Sequence, residues 1–209
     1  KKMLNMLISK NISYKSTNKN GGNAMLFATR GSRSGSNSLA FFKYLENLGI
    51  KPNITNKEGK TPLHNLAYSN KDVASINYFI NKGVSINQVD KNGNTALINA
   101  ASSNYLPIIK LLINKNTKIN HANKEGQTAL TKAIRNNANI VQFLINKGAD
   151  VSVIDSKGNH LNHYLFNRYS TKNQIEFQHK LDVLQAKGFG ISKPQKNGNT
   201  LYHLAIEKQ

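Results

Sequence analysis

The sequence predicts an all-α solenoid of stacked helix-turn-helix units, each projecting a turn loop, in place of one closed core. Three observations carry this. Glycine recurs at Gly21, Gly59, Gly93, Gly126, Gly158 and Gly198, at intervals of 38, 34, 33, 32 and 40 residues, each time at the end of a polar run: NKNG, NKEG, DKNG, NKEG, DSKG and QKNG. A helix-starting threonine follows two residues after most of these glycines. Two short apolar runs then follow within each unit, with the i, i+3, i+4 spacing of helices. A unit of about 33 residues repeated along a chain is the sequence mark of a repeat architecture.

Within the unit the elements follow in order. Thr61, Thr95, Thr128 and Thr200 are placed to accept a hydrogen bond from the unpaired amides of a first helical turn. Pro62 follows Thr61 at the first helical position, where its missing N–H costs nothing. The first helices carry Leu63, Leu66 and Ala67, then Leu97, Ala100 and Ala101, then Leu130, Ala133 and Ile134, with alanines that let neighbouring helices approach closely. The second helices carry Ile76, Phe79 and Ile80, then Ile108, Ile109, Leu111, Leu112 and Ile113, then Ile140, Val141, Phe143, Leu144 and Ile145. Each closes on Lys and then Gly (Lys82 and Gly83, Lys147 and Gly148, Lys187 and Gly188) or, at Lys115, on Asn116. Glycine or asparagine there takes the left-handed cap, and lysine complements the negative helix end. An extended arm such as 84–90 or 149–155 leads into the next glycine turn.

The units divide as 1–17 (second helix and arm only), 18–55 (degenerate, with an insertion at 31–37), 56–89, 90–122, 123–154, 155–194 (degenerate, with an insertion near 167–177) and 195–209 (turn and first helix only). Met3 to Ile8 reads as the end of a second helix and Leu201 to Gln209 as a first helix without its partner, so the segment reads as part of a longer array. Two copies depart from the pattern. The copy at Gly21 has Asn23 in place of the capping threonine, and the copy at Gly158 has His160 at the cap and Asn162 where the others bury leucine. An unpaired inward Asn162 would cost about 1–3 kcal/mol, so a local shift that lets Leu161 fill the site is expected.

Gly59-Lys60-Thr61-Pro62-Leu63-His64-Asn65-Leu66-Ala67 and Gly148-Ala149-Asp150-Val151 resemble two signature stretches of ankyrin repeats, a family whose period and a closely similar motif are well defined. The resemblance covers nearly the whole chain in six phased copies. It implies a binding scaffold that holds protein partners along the concave face made by turn tips and first helices. It also implies that His64, His163 and His203, which share one repeat position, make structural hydrogen bonds between adjacent turns.

The composition excludes several classes of chemistry. With no cysteine there is no disulfide framework and no thiolate site. No window reaches the roughly 18–20 apolar residues that cross a bilayer, so no membrane insertion is expected. His160 and His163 share a helical face but lack the further ligands of a metal site, and no metal is expected. Gly188-Phe189-Gly190 follows a helix and enters an extended arm, the reverse of a dinucleotide fingerprint. Gly31-Ser32-Arg33-Ser34-Gly35 has arginine where a nucleophile elbow needs serine. Ten carboxylates scattered over 209 residues form no acid/base pair. No catalytic residue and no cofactor are assigned, and the chain is expected to be a monomer without enzymatic activity.

The remaining information is on the surface. Lys and Arg number 29 against 10 Asp and Glu, for a formal net charge of +19, yet only four are arginine and the chain holds 32 asparagines. Lysine with asparagine reads first as compositional drift, because recognition of phosphates and base edges favours the arginine fork. Lys19, Lys57, Lys91, Lys124 and Lys196 form one row at the turn tips, interrupted by Ser156, and Lys10, Lys82, Lys115, Lys147 and Lys187 a second row at second-helix ends. The helix dipole suffices to explain the second row; the tip row can present a summed field to an acidic surface. Arg30, Arg33, Arg135 and Arg168, with Tyr68, Tyr105 and Tyr169, fall between the first and second helices of their units, and arginine with tyrosine is the anchor chemistry of interfaces.

Carrying the family's binding face onto this chain gives Lys57, Glu58, Lys60 and Tyr68; Lys91, Asn92, Asn94, Ser102 and Ser103; and Lys124, Glu125, Gln127, Arg135 and Asn136. The expected partner is an acidic protein. The alternatives are a polyanion or nucleic acid held by the lysine rows, and a structural spacer within a larger protein.

Overall fold

The computed structural model describes residues 16–30, 39–69, 72–167 and 171–190, together with positions 194 and 198. Residues 1–15 and, apart from position 198, 195–209 of the terminal part-units, the insertion 31–37, and with them Lys10, Arg33, Lys196, Thr200 and His203, lie outside the described residues, as do Arg168 and Tyr169. The described residues form only helices, turns and extended arms. The helices are α1 (Ala24–Ala28), α2 (Leu39–Asn47), α3 (Pro62–Ser69), α4 (Val73–Asn81), α5 (Ala96–Ser103), α6 (Leu106–Asn114), α7 (Ala129–Ala133), α8 (Ala138–Asn146), α9 (Leu161–Phe166) and α10 (Gln174–Gln185), the last preceded by a short 3-10 turn at Thr171–Asn173. First helices pack on first helices, α3 on α5 and α5 on α7. Second helices pack on second helices, α4 on α6 and α8 on α10.

The core runs along the array between the two helix layers. Leu63, Leu66, Leu97, Ala100, Leu130 and Ala133 from the first layer meet Ile76, Phe79, Ile108, Leu112, Val141 and Leu144 from the second in one continuous cluster. The buried alanines let the first helices approach, as their spacing predicts. Phe42, Tyr78 and Phe79 tie the first two second helices together. Their ring centroids lie 5.0–6.5 Å apart, and the Tyr78 hydroxyl donates to Glu46, 2.8 Å away.

The caps follow the sequence with local variations. Thr95 Oγ1 accepts from Ile98 N–H at 3.3 Å, and Thr128 and Thr131 cap each other reciprocally. Thr61 instead directs its hydroxyl to Nδ1 of His64, 2.9 Å away. Asn23, a departure in sequence, caps α1 by accepting from Leu26 N–H at 3.0 Å. Asn116 takes φ +59° at the end of α6, where its neighbours use glycine.

The shift expected at Asn162 does not occur. α9 starts at Leu161, in register with the starts of α5 and α7, and both Leu161 and Asn162 are fully buried. Asn162 Oδ1 accepts the N–H of His163 at 2.9 Å, so the amide keeps the leucine position by satisfying backbone. The second insertion is partly absorbed as helix: α10 has 12 residues against nine in α4, α6 and α8.

Candidate protein-binding face

The turn tips are built by one device that the sequence reading passed over. The first residue of the first five polar runs is Asn or Asp (Asn18, Asn56, Asp90, Asn123 and Asp155), and its side-chain oxygen accepts the N–H groups two and four residues on, at 2.8–3.0 Å in each of these copies. This Asx closure is intrinsic to the short amide or carboxylate side chain. The tips are then joined to each other. Lys57 N–H donates to Asn20 O, Lys91 N–H to Glu58 O, Lys124 N–H to Asn92 O and Ser156 N–H to Glu125 O, at 2.7–3.0 Å. Gly93 has φ +79°, and a Cβ on it would sit 2.9 Å from Lys124 N, so both its conformation and the ladder require glycine.

His64 adds a second link. Its Nδ1 accepts from Thr61 N–H at 3.1 Å, and its Nε2 faces the carbonyl of Asn94 in the next unit at 2.9 Å. A backbone N–H on one side and a carbonyl on the other fix the neutral ring with its proton on Nε2. Burial holds the ring's pKa below the usual 6.5. His163 Nδ1 likewise accepts from His160 N–H, at 3.0 Å. His121, which stands alone in the sequence, bonds Gly93 O in the preceding tip at 2.9 Å.

Against this frame the sequence-derived site residues fall into two groups. Lys57, Tyr68, Lys91, Asn92, Lys124, Glu125 and Arg135 are exposed, and Glu58 and Lys60 are half-buried. Glu58 pairs with Lys91 at 3.0 Å and Lys60 at 3.2 Å, and hydrogen bonds from those two ammonium groups keep its carboxyl below the usual range. Of the other five, four bond neighbouring units and Ser102 bonds within its own helix. Ser103 Oγ donates to Ala67 O at 2.8 Å and Asn136 Nδ2 to Ala101 O at 3.1 Å. Asn94 Oδ1 accepts from Asn123 Nδ2 at 2.9 Å. Ser102 Oγ turns back to Ile98 O at 3.0 Å. Gln127 is buried, donates to Tyr164 OH at 3.0 Å, and accepts from Lys132 Nζ.

Two clefts open on this face. The wider, about 450 Å³, is lined by Arg30, Lys60, His64, Asn65, Tyr68, Asp90, Asn92, Asn94 and Asn99. Arg30 stacks over Phe27 with its guanidinium carbon 5.0 Å from the ring centre. The second, about 90 Å³, is lined by Glu125, Gln127, Arg135, Asp155, Ser156, Lys157, Asn159, His163, Tyr164 and Asn167. There Arg135 stacks over Tyr164 at 4.7 Å. The Tyr164 hydroxyl donates to Asp155, and burial followed by that bond pushes its pKa up to about 12. Burial opposes ionisation of Asp155, but hydrogen bonds from Tyr164, Asn159 and Lys157 outweigh it and hold its carboxyl below the usual range.

Arg30 is an exposed cation of this face that the sequence-derived set omits. The signal was present: Arg30 and Arg135 both stand nine residues after their glycine, as do Tyr68, Ser102 and Asn167.

Among the described residues no group of three or more His, Asp or Glu side chains is arranged to hold a metal, and no helix is long and apolar enough to cross a membrane. The family profile described as ankyrin repeats (3 copies) matches residues 32–123 and 65–155. Such repeats generally mediate protein–protein interaction, and proteins built from them are generally non-catalytic scaffolds. No curated protein matches the chain. With the profile covering more than half the sequence, and paired helices stacked behind tips that bond one to the next, the chain belongs to the ankyrin-repeat family.

Proposed function

We propose that the chain is a non-catalytic scaffold that holds an acidic protein partner along the face made by its turn tips and first helices. The observation that carries this reading is the convergence of two cations and an exposed aromatic ring on one open groove: exposed Arg30, half-buried Lys60 and Tyr68, the tyrosine 65% exposed. Lys57, Lys91 and Lys124 stand above it at the tips, with Asn92 and Glu125 beside them and Arg135 further along. Asn94, Ser102, Ser103, Gln127 and Asn136 support the same surface by bonding within and between units. Rigid elements presenting exposed polar and aromatic side chains are a common basis of recognition.

The tip lysines do not act as bare cations. Glu58, Asp90, Glu125 and Asp155 occupy the same tips, so each of these tips carries both signs of charge. Capture of partners on the immobilised protein tests the reading. The retained proteins should be more acidic than the lysate background, and the triple variant K57E/K91E/K124E should release them. Retention of an unbiased set, unaffected by the triple change, would refute the charge complementarity.

A second reading, polyanion binding, is favoured by a different observation. Lys110, Lys115, Lys118 and Lys147, on the second helices and arms, are exposed and make no ion pair among the described residues. It requires affinity for a duplex oligonucleotide that falls steeply with salt and persists at about 0.15 M. Loss of binding at that salt removes this reading.

A further inference from the structure

The repeat position nine residues after the glycine forms a row across five successive units: Arg30, Tyr68, Ser102, Arg135 and Asn167. Its two arginines are unlike the lysines of the chain. Arg30 lies over Phe27 at 5.0 Å and Arg135 over Tyr164 at 4.7 Å, so each guanidinium rests against a ring in cation–π contact. Tyr164 is itself fixed by Gln127 and Asp155. Neither arginine has a carboxylate within ion-pair distance among the described residues, and both are exposed. A planar fork braced against a ring and not engaged by an internal acid is suited to a carboxylate, which it can grip through two parallel hydrogen bonds.

We propose that Arg30 and Arg135 form a two-point clamp for one extended acidic segment of a partner protein, the stretch between its two acidic ends crossing Tyr68 and Ser102. This rests on the reading of the face as a protein-binding surface and adds a length rule to it. Neighbouring helices pack about 8–10 Å apart, so three unit steps separate the arginines by about 24–30 Å. An extended chain rises about 3.3 Å per residue, which sets the acidic ends about seven to nine residues apart. A nucleic-acid strand fits the row less well. It carries a charge at every nucleotide, whereas Tyr68 and Ser102 offer no cation between the arginines, and Asp90 and Glu125 line the two clefts.

The test uses the whole chain and three fluorescein-labelled peptides read by anisotropy. One carries a single Asp-Asp pair, and two carry a pair at each end of an uncharged Gly/Ser/Tyr spacer of three or seven residues. The seven-residue spacer should bind about tenfold more tightly than the single pair, because the second contact becomes intramolecular, and the three-residue spacer no more tightly than the single pair. R30K and R135K keep charge and length but lose the fork. Each should reduce the seven-residue peptide to single-pair affinity while leaving thermal unfolding unchanged. Equal binding of the two spacers, or full affinity in both lysine variants, would overturn the clamp. Tighter binding of a 12-mer oligothymidylate with the same arginine dependence would also overturn it, in favour of a nucleic-acid occupant. If spacing and arginines do not matter but K57E/K91E/K124E still releases acidic proteins, the clamp fails and the scaffold reading stands.

Discussion

Asp90 Oδ1 closes its tip by accepting two backbone N–H groups from a buried position, each at 2.9 Å. D90A strands both donors and should cost about 1–3 kcal/mol in chemical denaturation. D90N should cost clearly less, since Asn56 and Asn123 close their tips in the same way. A glycine pair separates conformation from contact. A Cβ at Gly126 would lie 2.8 Å from Asp155 Cα, whereas one at Gly148 would meet nothing within 4 Å, and both residues have positive φ. G148A should therefore cost only the left-handed penalty of about 1–2 kcal/mol, and G126A more. Equal losses would show that the tips do not need the close approach. His64 gives a pH signature. Its folded pKa lies below the usual 6.5, so below that value the unfolded chain takes up a proton that the folded ring resists. Stability should fall as pH drops below about 6.5, and H64N should show a shallower fall across pH 7.5–5.5 in parallel melts. The positions of the glycines, caps and His64 were legible in the sequence. The meaning of its asparagines was not. Asn65, Asn99, Asn120 and Asn136 bond atoms 28–36 residues away, partners that no local pattern names, so an abundance that reads as drift is in part inter-unit bonding.

The most irregular element is α10, and its attachment explains how a degenerate unit stays docked. Glu176 accepts the N–H of Ala138 at the start of α8 and pairs with Lys180 at 3.6 Å, while Lys180 is buried with its pKa lowered by that burial. E176A removes the acceptor of the Ala138 N–H, leaving Asn137 as the cap of α8, and leaves a buried ammonium unpaired, so it should cost about 1–3 kcal/mol. Because a buried ammonium without its carboxylate is costly where an apolar side chain is not, E176A/K180M should recover part of that loss. A double variant less stable than E176A alone would show that the lysine contributes without its carboxylate. Helix existence and order were legible because the 3.6-residue period is local. The length of α10 and the retained register at Asn162 depend on contacts between units, where a tertiary partner decides what the local pattern leaves open.

Among the described residues the helices pack within a unit or between adjacent units, so stability is close to a sum of unit and junction contributions. Leu130, 1% exposed in the middle of the described array, tests this. L130A should cost about 2–5 kcal/mol and divide thermal unfolding into two steps, with amide exchange accelerating first around 123–154. A single transition displaced as a whole would show cooperativity extending beyond the junctions. The tip ladder has a mechanical consequence. Its four backbone bonds, from Lys57, Lys91, Lys124 and Ser156, each join one tip to the preceding tip, so that they follow one after another along the array. A stretching force applied between the outermost tips is then carried by every joint in series, as in the links of a chain. The molecule should yield at its weakest link and lengthen in single-unit increments, each closing again independently when the load is released.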